Sequence, residues 1–334
     1  MKKVSATLTD SFGREHNYLR ISLTEKCNLR CTYCMPENGV LLSPQSQLMT
    51  ANEVFHIAAL FIQNGVDKIR LTGGEPLLRK DFSEILTSLS TLPVKLSITT
   101  NAILVDRYIE TFKSCGLKDI NVSLDTLNTT KFDAITKRDQ FSKAMSNIEL
   151  LIQEGFMVKL NVVLMKGFND DEIIDFINYT RDKPINVRFI EFMPFDGNNW
   201  DKSKLVTFDE VLTAVNVHYA EVGVESIPNE KNFTARNYKI KNYKGSFGII
   251  STVTNPFCDA CNRIRLTANG KLKNCLFSTG ETPLLETFRD GKSIEGLIQH
   301  ALHQKKAVRA GMTELEDFEN LKNHHNRSMI TIGG

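Results

Sequence analysis

Short β-rich segments alternate with amphipathic helical segments through the first two thirds of the chain, and this alternation restricts the possible folds more than any other feature. Units of this kind connect with a right-handed crossover and build a parallel sheet with helices outside it. Strands are expected at residues 18–22, 68–72, 94–100, 119–124, 157–164 and 186–192. Helices are expected between them at residues 51–64, 81–90, 105–115, 143–154 and 170–181.

Six strands and five intervening helices fall two units short of a closed eight-stranded barrel. After about residue 200 the alternation ends: one more helix is expected at 207–219, and a polar stretch at 227–244 precedes short strand-like segments. The sequence therefore predicts an α/β fold, an incomplete (βα)6 TIM-type barrel in residues 1–220. A smaller C-terminal region, residues 221–334, is expected to cover the barrel opening.

Composition gives no reason to expect nucleic acid or membrane as a partner. The chain is 41% hydrophobic and 24% charged, which is ordinary for a globular protein, and its formal net charge is only +2. There is no apolar run of about 18 residues, and the N-terminus lacks the apolar core of a signal peptide. We therefore expect a soluble, cytoplasmic protein.

Seven cysteines are present, and six of them fall into two groups of three that lie more than 200 residues apart. An odd count without a signal peptide argues against a disulfide framework. Cys115 stands alone after a helical pattern and is expected to be a small buried apolar residue. The two groups are therefore candidates for metal or cluster ligands.

The first group, Cys27, Cys31 and Cys34, follows the first expected strand with the spacing C-x3-C-x2-C. Three thiolates can wrap a loop around a 4Fe-4S cube and leave one iron free to bind a small molecule. An electron carrier needs a fourth cysteine nearby, and structural zinc also prefers four ligands. Parallel barrels carry their chemistry at the carboxyl ends of the strands, where this loop lies.

The second group, Cys258, Cys261 and Cys275, has the spacing C-x2-C-x13-C and again lacks a nearby fourth cysteine. A zinc ribbon is the rival interpretation, with His218, His324 or His325 as conceivable fourth ligands. Arg263 and Arg265 alternate on an expected strand, so both side chains face one way. Paired guanidiniums suit an anionic ligand such as a phosphate chain, although a solvated basic face has the same pattern.

The first cysteine loop, with Tyr33 before its last cysteine, resembles the signature of the radical S-adenosylmethionine (SAM) superfamily. The segment Thr72-Gly73-Gly74-Glu75-Pro76 resembles the GGEP motif of that superfamily, whose backbone and acidic residue contact the methionyl amino group. Glycines also let a backbone approach a ligand closely. The resemblance implies a 4Fe-4S cluster at the first group, and reductive cleavage of SAM.

The segments RLTGGEPLLRKD, ITTNA, NVSLD, VRFIEFMP and FCDACNRIRL and the terminal Gly333-Gly334, taken together, resemble the GTP 3′,8-cyclases, the family of molybdenum cofactor biosynthesis protein A. Asn38 stands where the family usually has an acidic residue. The resemblance implies SAM contacts at Tyr33, Gly74, Ser123 and Met193. It implies GTP contacts at Arg20, Arg70, Thr100, Lys159, Arg263, Ile264 and Arg265. It implies a second 4Fe-4S cluster at Cys258, Cys261 and Cys275, and catalytic roles for Cys27, Cys31, Cys34, Arg263, Arg265, Gly333 and Gly334.

The chemistry implied by the resemblance starts with one electron from an external donor and yields a 5′-deoxyadenosyl radical, which takes hydrogen from C3′ of GTP. Bond formation to guanine C8 then gives 3′,8-cyclo-7,8-dihydro-GTP. The family also implies a homodimer that passes its product to cyclic pyranopterin monophosphate synthase. The alternatives are a peptide-modifying radical enzyme with auxiliary clusters, a two-cluster electron carrier, and a zinc-stabilised binding module.

Overall fold

The structure is a computed structural model that describes residues 7–228, 231–319 and 326–333. Its centre is one sheet, in which the described residues form twelve strands in the order β12-β11-β10-β1-β2-β3-β4-β5-β6-β9-β8-β7. The strands are β1 Tyr18–Ser22, β2 Lys68–Thr72, β3 Lys95–Thr100, β4 Asp119–Ser123, β5 Met157–Leu164, β6 Asn186–Glu191, β7 Val224–Ile227, β8 Arg236–Ile240, β9 Ser246–Ile250, β10 Arg263–Leu266, β11 Lys271–Lys273 and β12 Thr282–Pro283.

The parallel part of the sheet runs from β10 through β1–β6 to β9. The remaining neighbours at both ends are antiparallel. The sheet is therefore a partial barrel of parallel strands, which confirms the predicted fold class. The predicted domain boundary at residue 220 stays a prediction, and the sheet runs through it because β9 extends one edge and β10 the other.

Helices cover the outer face of the parallel strands. Two of them begin with a capping box, formed by Thr50 and Glu53 at α1 and by Thr207 and Glu210 at α7. The helices are α1 Ala51–Gln63, α2 Phe82–Ser90, α3 Ile109–Ser114, α4 Thr129–Thr136, α5 Phe141–Gln153, α6 Ile173–Asn178, α7 Phe208–His218, α8 Leu284–Arg289, α9 Glu295–His303, α10 Glu316–Glu319 and α11 Met329–Ile332. No helix in the described part of the chain is both long and apolar enough to cross a bilayer.

The main hydrophobic core lies between the strands and these helices. In α1 the buried residues recur at helical spacing, and the strands contribute every second side chain. Each large side chain buried in this layer contributes about 1.5–3 kcal/mol. Residues of the α1 face are Val54, Ile57, Ala58 and Phe61. The opposite faces of the strands are left to polar side chains, which line the barrel interior.

The predicted strands agree with the structure to within one residue at each end. Two predicted helices are too long: residues 105–107 and 170–172 form short 3-10 turns, and only then do α3 and α6 begin. Helix α4 was not predicted, because its apolar face is short. Its one clear sequence signal is Asn128, whose side chain accepts a hydrogen bond from Lys131 N. Cys115, expected to be buried, is half-buried at the end of α3.

Candidate active site

The loops after β1 and β2 pack directly against each other. Gly74 N donates to Thr24 O at 2.7 Å, and Glu75 N donates to Lys26 O at 2.8 Å. A side chain has no room at position 74, where a Cβ atom would lie 2.6 Å from the Lys26 carbonyl carbon. Gly73 has a φ of +156°, and a Cβ there would meet the Thr24 backbone. The glycines were expected to let the backbone approach a ligand, and the structure gives them a second reason, close approach to the cysteine loop.

The thiols of Cys27, Cys31 and Cys34 meet in this loop. Burial raises the pKa of all three thiols, to about 11 for Cys27 and about 12 for Cys34, and neighbouring thiols raise the pKa of Cys31 and Cys34 further. The charges of neighbouring thiols thus reach both Cys31 and Cys34. Cys27 Sγ accepts hydrogen bonds from Leu29 N at 3.4 Å and Asn101 Nδ2 at 3.8 Å. Three converging thiols with N–H donors fit an iron–sulfur cluster.

Tyr33 connects this loop to the end of β4. Its hydroxyl donates to the carboxylate of Asp125, and Asp125 Oδ1 also accepts from Val163 N at 2.9 Å. Burial raises the pKa of Asp125 to about 6, although both hydrogen bonds oppose this. Ser123, two residues earlier, is half-buried at the end of β4. Tyr33 and Ser123, two of the predicted SAM contacts, therefore lie on neighbouring segments at the carboxyl ends of the strands.

Met193, the fourth predicted SAM contact, lies two residues beyond the end of β6 and is half-buried. It packs against a small second hydrophobic cluster, separate from the main core. The buried members of this cluster are Leu205, Val253, Phe277, Met312 and Phe318. Met193 therefore lies where the end of β6 meets the C-terminal region.

Glu75 is buried, and its carboxylate organises the start of the neighbouring loop. It accepts hydrogen bonds from Thr100 Oγ1 at 2.8 Å, Asn101 N at 2.7 Å and Leu77 N at 3.1 Å. Burial raises the pKa of Glu75 to about 7 despite these bonds. The acidic residue of the GGEP motif thus joins the loops after β2 and β3, which lie beside the cysteine loop.

Cationic side chains line the interior face of the strands. Asp119 of β4 pairs with three of them: Lys68 Nζ at 3.1 Å, Arg70 Nη2 at 3.5 Å and Lys159 Nζ at 3.0 Å. Burial would raise the pKa of Asp119, but these cations hold it far below its usual value. Arg70 Nε also donates to the Tyr18 hydroxyl at 2.5 Å, and the surrounding cations lower the pKa of Tyr18 to about 7 against the effect of burial.

More positive charge lies on this face than Asp119 can balance. Burial and the neighbouring Arg70 charge lower the pKa of both Arg20 and Arg188 to about 10, while contact with Tyr18 or Asp119 partly offsets the shift. Cations brought together inside a protein are costly unless an anion joins them. The interior is therefore suited to a polyanionic ligand. Arg20, Arg70 and Lys159 were predicted for this role, whereas Tyr18, Asp119 and Arg188 were missed.

Three side-chain oxygen atoms on this face lack a hydrogen-bond partner within the described part of the chain. They are Thr99 Oγ1, Asn121 Oδ1 and Asn161 Oδ1, and all are buried. Buried polar atoms are normally paired, so unpaired ones facing a cavity fit a polar ligand. The strand register puts Thr99 beside Asn121, whereas the predicted Thr100 lies beside Val122 of the hydrophobic core. The structure thus places Thr99, and not Thr100, on the interior face.

β10 completes the interior face on the other side of β1. Arg265 is in register with Arg20, and Arg263 with Tyr18. Burial and the charges of Arg20 and Arg263 lower the pKa of Arg265 well below its usual value. The side chain of Ile264 points the other way into the hydrophobic core, so a ligand in the interior can reach only its backbone. The prediction that Arg263 and Arg265 share a face is confirmed.

The second cysteine group lies at the amino end of β10. Burial raises the pKa of Cys258, and the nearby Cys275 and Cys261 thiols raise it further. Burial would raise the pKa of Cys261, but the charges of Arg263 and Lys305 lower it to about 6. Three soft thiol ligands with one ready to ionise fit a second iron–sulfur cluster.

The two cysteine groups lie at opposite ends of the same pair of strands. Cys27 follows the carboxyl end of β1, and Cys261 precedes the amino end of β10, which runs parallel to β1. Five residues of strand separate them, roughly 15 Å. The cationic face therefore lies between the two groups. The C-terminal region was expected to cover the barrel opening, and it also supplies this strand to the barrel itself.

The C-terminal segment 326–333 reaches both cysteine loops. Ser328 Oγ donates to Cys34 O at 2.8 Å, and Asn326 Nδ2 donates to Leu276 O at 3.0 Å, next to the last cysteine of the second group. Gly333 O accepts from Arg265 Nη1 at 2.8 Å. A Cβ at Gly333 would lie 2.5 Å from the Thr72 hydroxyl, and φ there is +82°. The described end of the chain is therefore inserted among the interior residues.

The predicted Gly334 lies outside the described residues, as do His324 and His325. His218 is exposed at the end of α7. Across the described ranges, no group of three or more His, Cys, Asp or Glu side chains is arranged to hold a single metal ion.

The missed residues of the interior had a signal in the sequence. Tyr18, Asp119 and Arg188 are spaced by two from other polar residues of strands that were predicted correctly. Alternation alone therefore assigns them to the same face as Arg20. Which polar residues meet across strands depends on register, and a single sequence does not give register.

Two family profiles cover most of the chain. Residues 21–180 match the radical SAM superfamily, and residues 185–310 match the profile named Molybdenum Cofactor Synthesis C. Among solved structures, Streptococcus suis SuiB bound to S-adenosylmethionine aligns with a TM-score of 0.62 and 16% identity over 95% of this chain and 77% of that one. At that identity, the similarity to SuiB concerns the fold alone.

Similar sequences extend over the whole chain. The mitochondrial GTP 3′,8-cyclase of Arabidopsis thaliana is 48% identical over 99% of this chain and 84% of its own length. The GTP 3′,8-cyclase of Listeria monocytogenes is 41% identical over 98% of this chain and 99% of its own. Human molybdenum cofactor biosynthesis protein 1 is 46% identical over 98% of this chain, which spans 51% of the human protein. The chain belongs to the GTP 3′,8-cyclase family of molybdenum cofactor biosynthesis, within the radical SAM superfamily.

Proposed function

We propose that this chain converts GTP to 3′,8-cyclo-7,8-dihydro-GTP in molybdenum cofactor biosynthesis. The observation that supports this most directly is the cationic interior face of the barrel, which lies between two three-cysteine groups. A triphosphate supplies the negative charge that this face lacks. Full-length relatives named GTP 3′,8-cyclase support the same conclusion.

Cys27, Cys31 and Cys34 hold the first 4Fe-4S cluster. When bound, this cluster and SAM together supply the 5′-deoxyadenosyl radical, because one electron breaks the C5′–S bond and releases methionine. The loop after β2 accommodates the methionyl group of SAM, and the Glu75 carboxylate keeps that loop in place through its bonds to Thr100 and Asn101. The remaining SAM contacts are Tyr33, Gly74, Ser123 and Met193.

The triphosphate lies against Arg20, Arg70 and Lys159, and the missed Arg188 adds a fourth cation. Asp119 orients Arg70 and Lys159 before the substrate arrives, since its two oxygens bind both cations. Cationic groups held in this way can meet phosphate oxygens with little further loss of side-chain freedom at the moment of binding. The Thr99 hydroxyl replaces Thr100 as the polar contact from β3.

Cys258, Cys261 and Cys275 would hold a second 4Fe-4S cluster, which would supply a binding site for the guanine of the substrate. Arg263, the backbone of Ile264 and Arg265 contact GTP from β10. Gly333 lies beside Arg265, where a side chain would collide with β1 and β2. This position supports a role of Gly333, and of Gly334 beyond it, in closing the reaction space.

Several wider features belong to the same proposal. An external one-electron donor reduces the first cluster, the protein forms a homodimer, and cyclic pyranopterin monophosphate synthase consumes the product. A cytoplasmic location is part of the proposal as well. A peptide substrate, the alternative drawn from the sequence, has no specific observation in its favour.

The experiment is anaerobic incubation of the reconstituted protein with SAM, dithionite and GTP that carries deuterium at C3′. We expect mass analysis to show the cyclised nucleotide and deuterium in 5′-deoxyadenosine. The Cys31→Ser variant is expected to abolish both products, whereas Cys115→Ser, outside both groups, is the matched control that retains them. No nucleotide product from the iron-loaded protein would refute the function. Unlabelled 5′-deoxyadenosine with normal turnover would refute only the assignment of the abstracted atom.

A further inference from the structure

Lys305 is a buried cation that the reaction described above does not use. It follows α9 and is only 4% exposed. Its Nζ atom lies 3.4 Å from Cys261 Sγ and 3.0 Å from Arg263 O. A buried ammonium needs acceptors, and here one of its two acceptors is a sulfur of the second cysteine group. The ammonium is thus aimed at a cluster ligand from outside the barrel interior.

A second cation fixes the segment that carries Lys305. Arg14 Nη1 donates to Ala307 O at 2.7 Å, and Arg14 Nη2 donates to Lys306 O at 2.9 Å. The same Nη1 donates to Cys258 O at 2.9 Å, and Arg14 Nε pairs with Asp10 Oδ2 at 2.6 Å. One guanidinium therefore joins the cysteine loop to the segment of Lys305. These Arg14 hydrogen bonds help to fix the distance between the Lys305 ammonium and the Cys261 sulfur, in addition to the hydrogen bond between those two groups.

We propose that Lys305 is a positioning residue that donates a charged hydrogen bond to the Cys261 sulfur and raises the reduction potential of the second cluster. This inference rests on the proposed function, since it assumes a cluster at the second cysteine group. Reduction adds one negative charge to a cluster and its thiolates. A fixed positive charge within hydrogen-bond distance of one sulfur stabilises the reduced state more than the oxidised state. Hydrogen bonds to the sulfurs act in the same direction.

The test uses the full-length chain with Cys27, Cys31 and Cys34 replaced by Ser, so that only the second cluster is observed. In this background we compare Lys305→Met, which removes charge and donor, with Lys305→Gln and Lys305→Arg. The matched control is Lys306→Met, which removes the same charge from the adjacent, exposed position. Iron content is measured first, and the midpoint potential of the cluster is then followed by electron paramagnetic resonance at set potentials.

We expect Lys305→Met to lower the ratio of reduced to oxidised cluster tenfold or more at a fixed potential, which equals about 59 mV for one electron. Lys305→Arg is expected to restore most of the shift, and Lys306→Met to leave the midpoint unchanged. If Lys305→Met loses iron, Lys305→Gln provides the comparison, and a midpoint equal to that of the unsubstituted background refutes the inference.

Two failures can be told apart. A background protein that binds no iron refutes the second cluster, and with it both the proposed function of this cysteine group and the role of Lys305. If the background protein holds a complete cluster and Lys305→Met leaves its midpoint potential unchanged, only the inference about Lys305 is refuted. An equal shift in Lys306→Met also refutes it, because the effect is then one of overall charge.

Discussion

Replacing Gly74 with alanine tests how the two loops at the carboxyl ends of β1 and β2 are joined. The added Cβ would lie 2.6 Å from the Lys26 carbonyl carbon and 3.1 Å from Cys27 N. Both neighbours are backbone atoms, so no flexible side chain can move aside. The loop after β2 must therefore withdraw from the cysteine loop.

The cost follows from the contacts that this withdrawal breaks. Two backbone hydrogen bonds join the loops, Gly74 N to Thr24 O and Glu75 N to Lys26 O. Each contributes about 1 kcal/mol, and a buried group left unpaired costs about 1–3 kcal/mol. We therefore expect Gly74→Ala to lower the free energy of unfolding by about 2–4 kcal/mol. The displaced cysteine loop is also expected to lose its iron.

The assay is denaturant unfolding of the metal-free protein followed by circular dichroism, together with iron analysis after anaerobic reconstitution. Gly296→Ala is the matched control, since Gly296 lies in α9, where an added Cβ would have no atom within 4 Å and φ is not positive. There alanine is expected to be neutral or to stabilise by up to about 1 kcal/mol. A Gly74→Ala protein with the stability and iron content of the control would refute the reasoning.

Two further predictions concern single side chains. Thr99→Val is expected to weaken GTP binding up to about tenfold without loss of stability. Thr100→Val, which breaks the hydrogen bond to Glu75, should instead lower the free energy of unfolding by about 1–2 kcal/mol. Calorimetry measures the binding and denaturant unfolding measures the stability, and the reverse pattern would contradict the faces assigned to the two threonines. Burial, with help from the Lys305 charge, lowers the pKa of His16 from 6.5 to about 4 against the Asp10 hydrogen bond. The unfolded chain therefore binds this proton first. From pH 7 to pH 5 the free energy of unfolding of the metal-free protein should fall by about 2 kcal/mol relative to that of His16→Gln, which keeps the other titrating groups, and an unchanged difference between the two proteins would contradict this.

The six strands β1–β6 could be predicted because each strand shows local alternation and each connection contains a helix. The bounds of β1, β2 and β5 were predicted without error. The helices were less accurate where the chain starts a helix with a 3-10 turn, as at residues 105–107 and 170–172. The choice between those two forms depends on packing against neighbouring elements, which the local pattern does not contain.

The two cysteine groups could be predicted because the spacing within each group is local. The position of one group relative to the other could not be predicted. Their positions at opposite ends of β1 and β10 follow from the parallel pairing of strands more than 200 residues apart. The same pairing puts Arg20 beside Arg265. No pattern within either segment gives this partner, since several strand orders are compatible with the same alternation.

The case of Thr100 shows what the loss of register costs at a site. A motif does not show which of two adjacent threonines contacts a ligand, yet on a strand their side chains face opposite ways. Thr100 faces the core, where its hydroxyl binds Glu75, and Thr99 faces the cations with its hydroxyl unpaired. The unpaired hydroxyl and the excess positive charge lie on the same face, although they are independent observations. A ligand that accepts hydrogen bonds and carries several negative charges accounts for both, and a nucleoside triphosphate has these two properties.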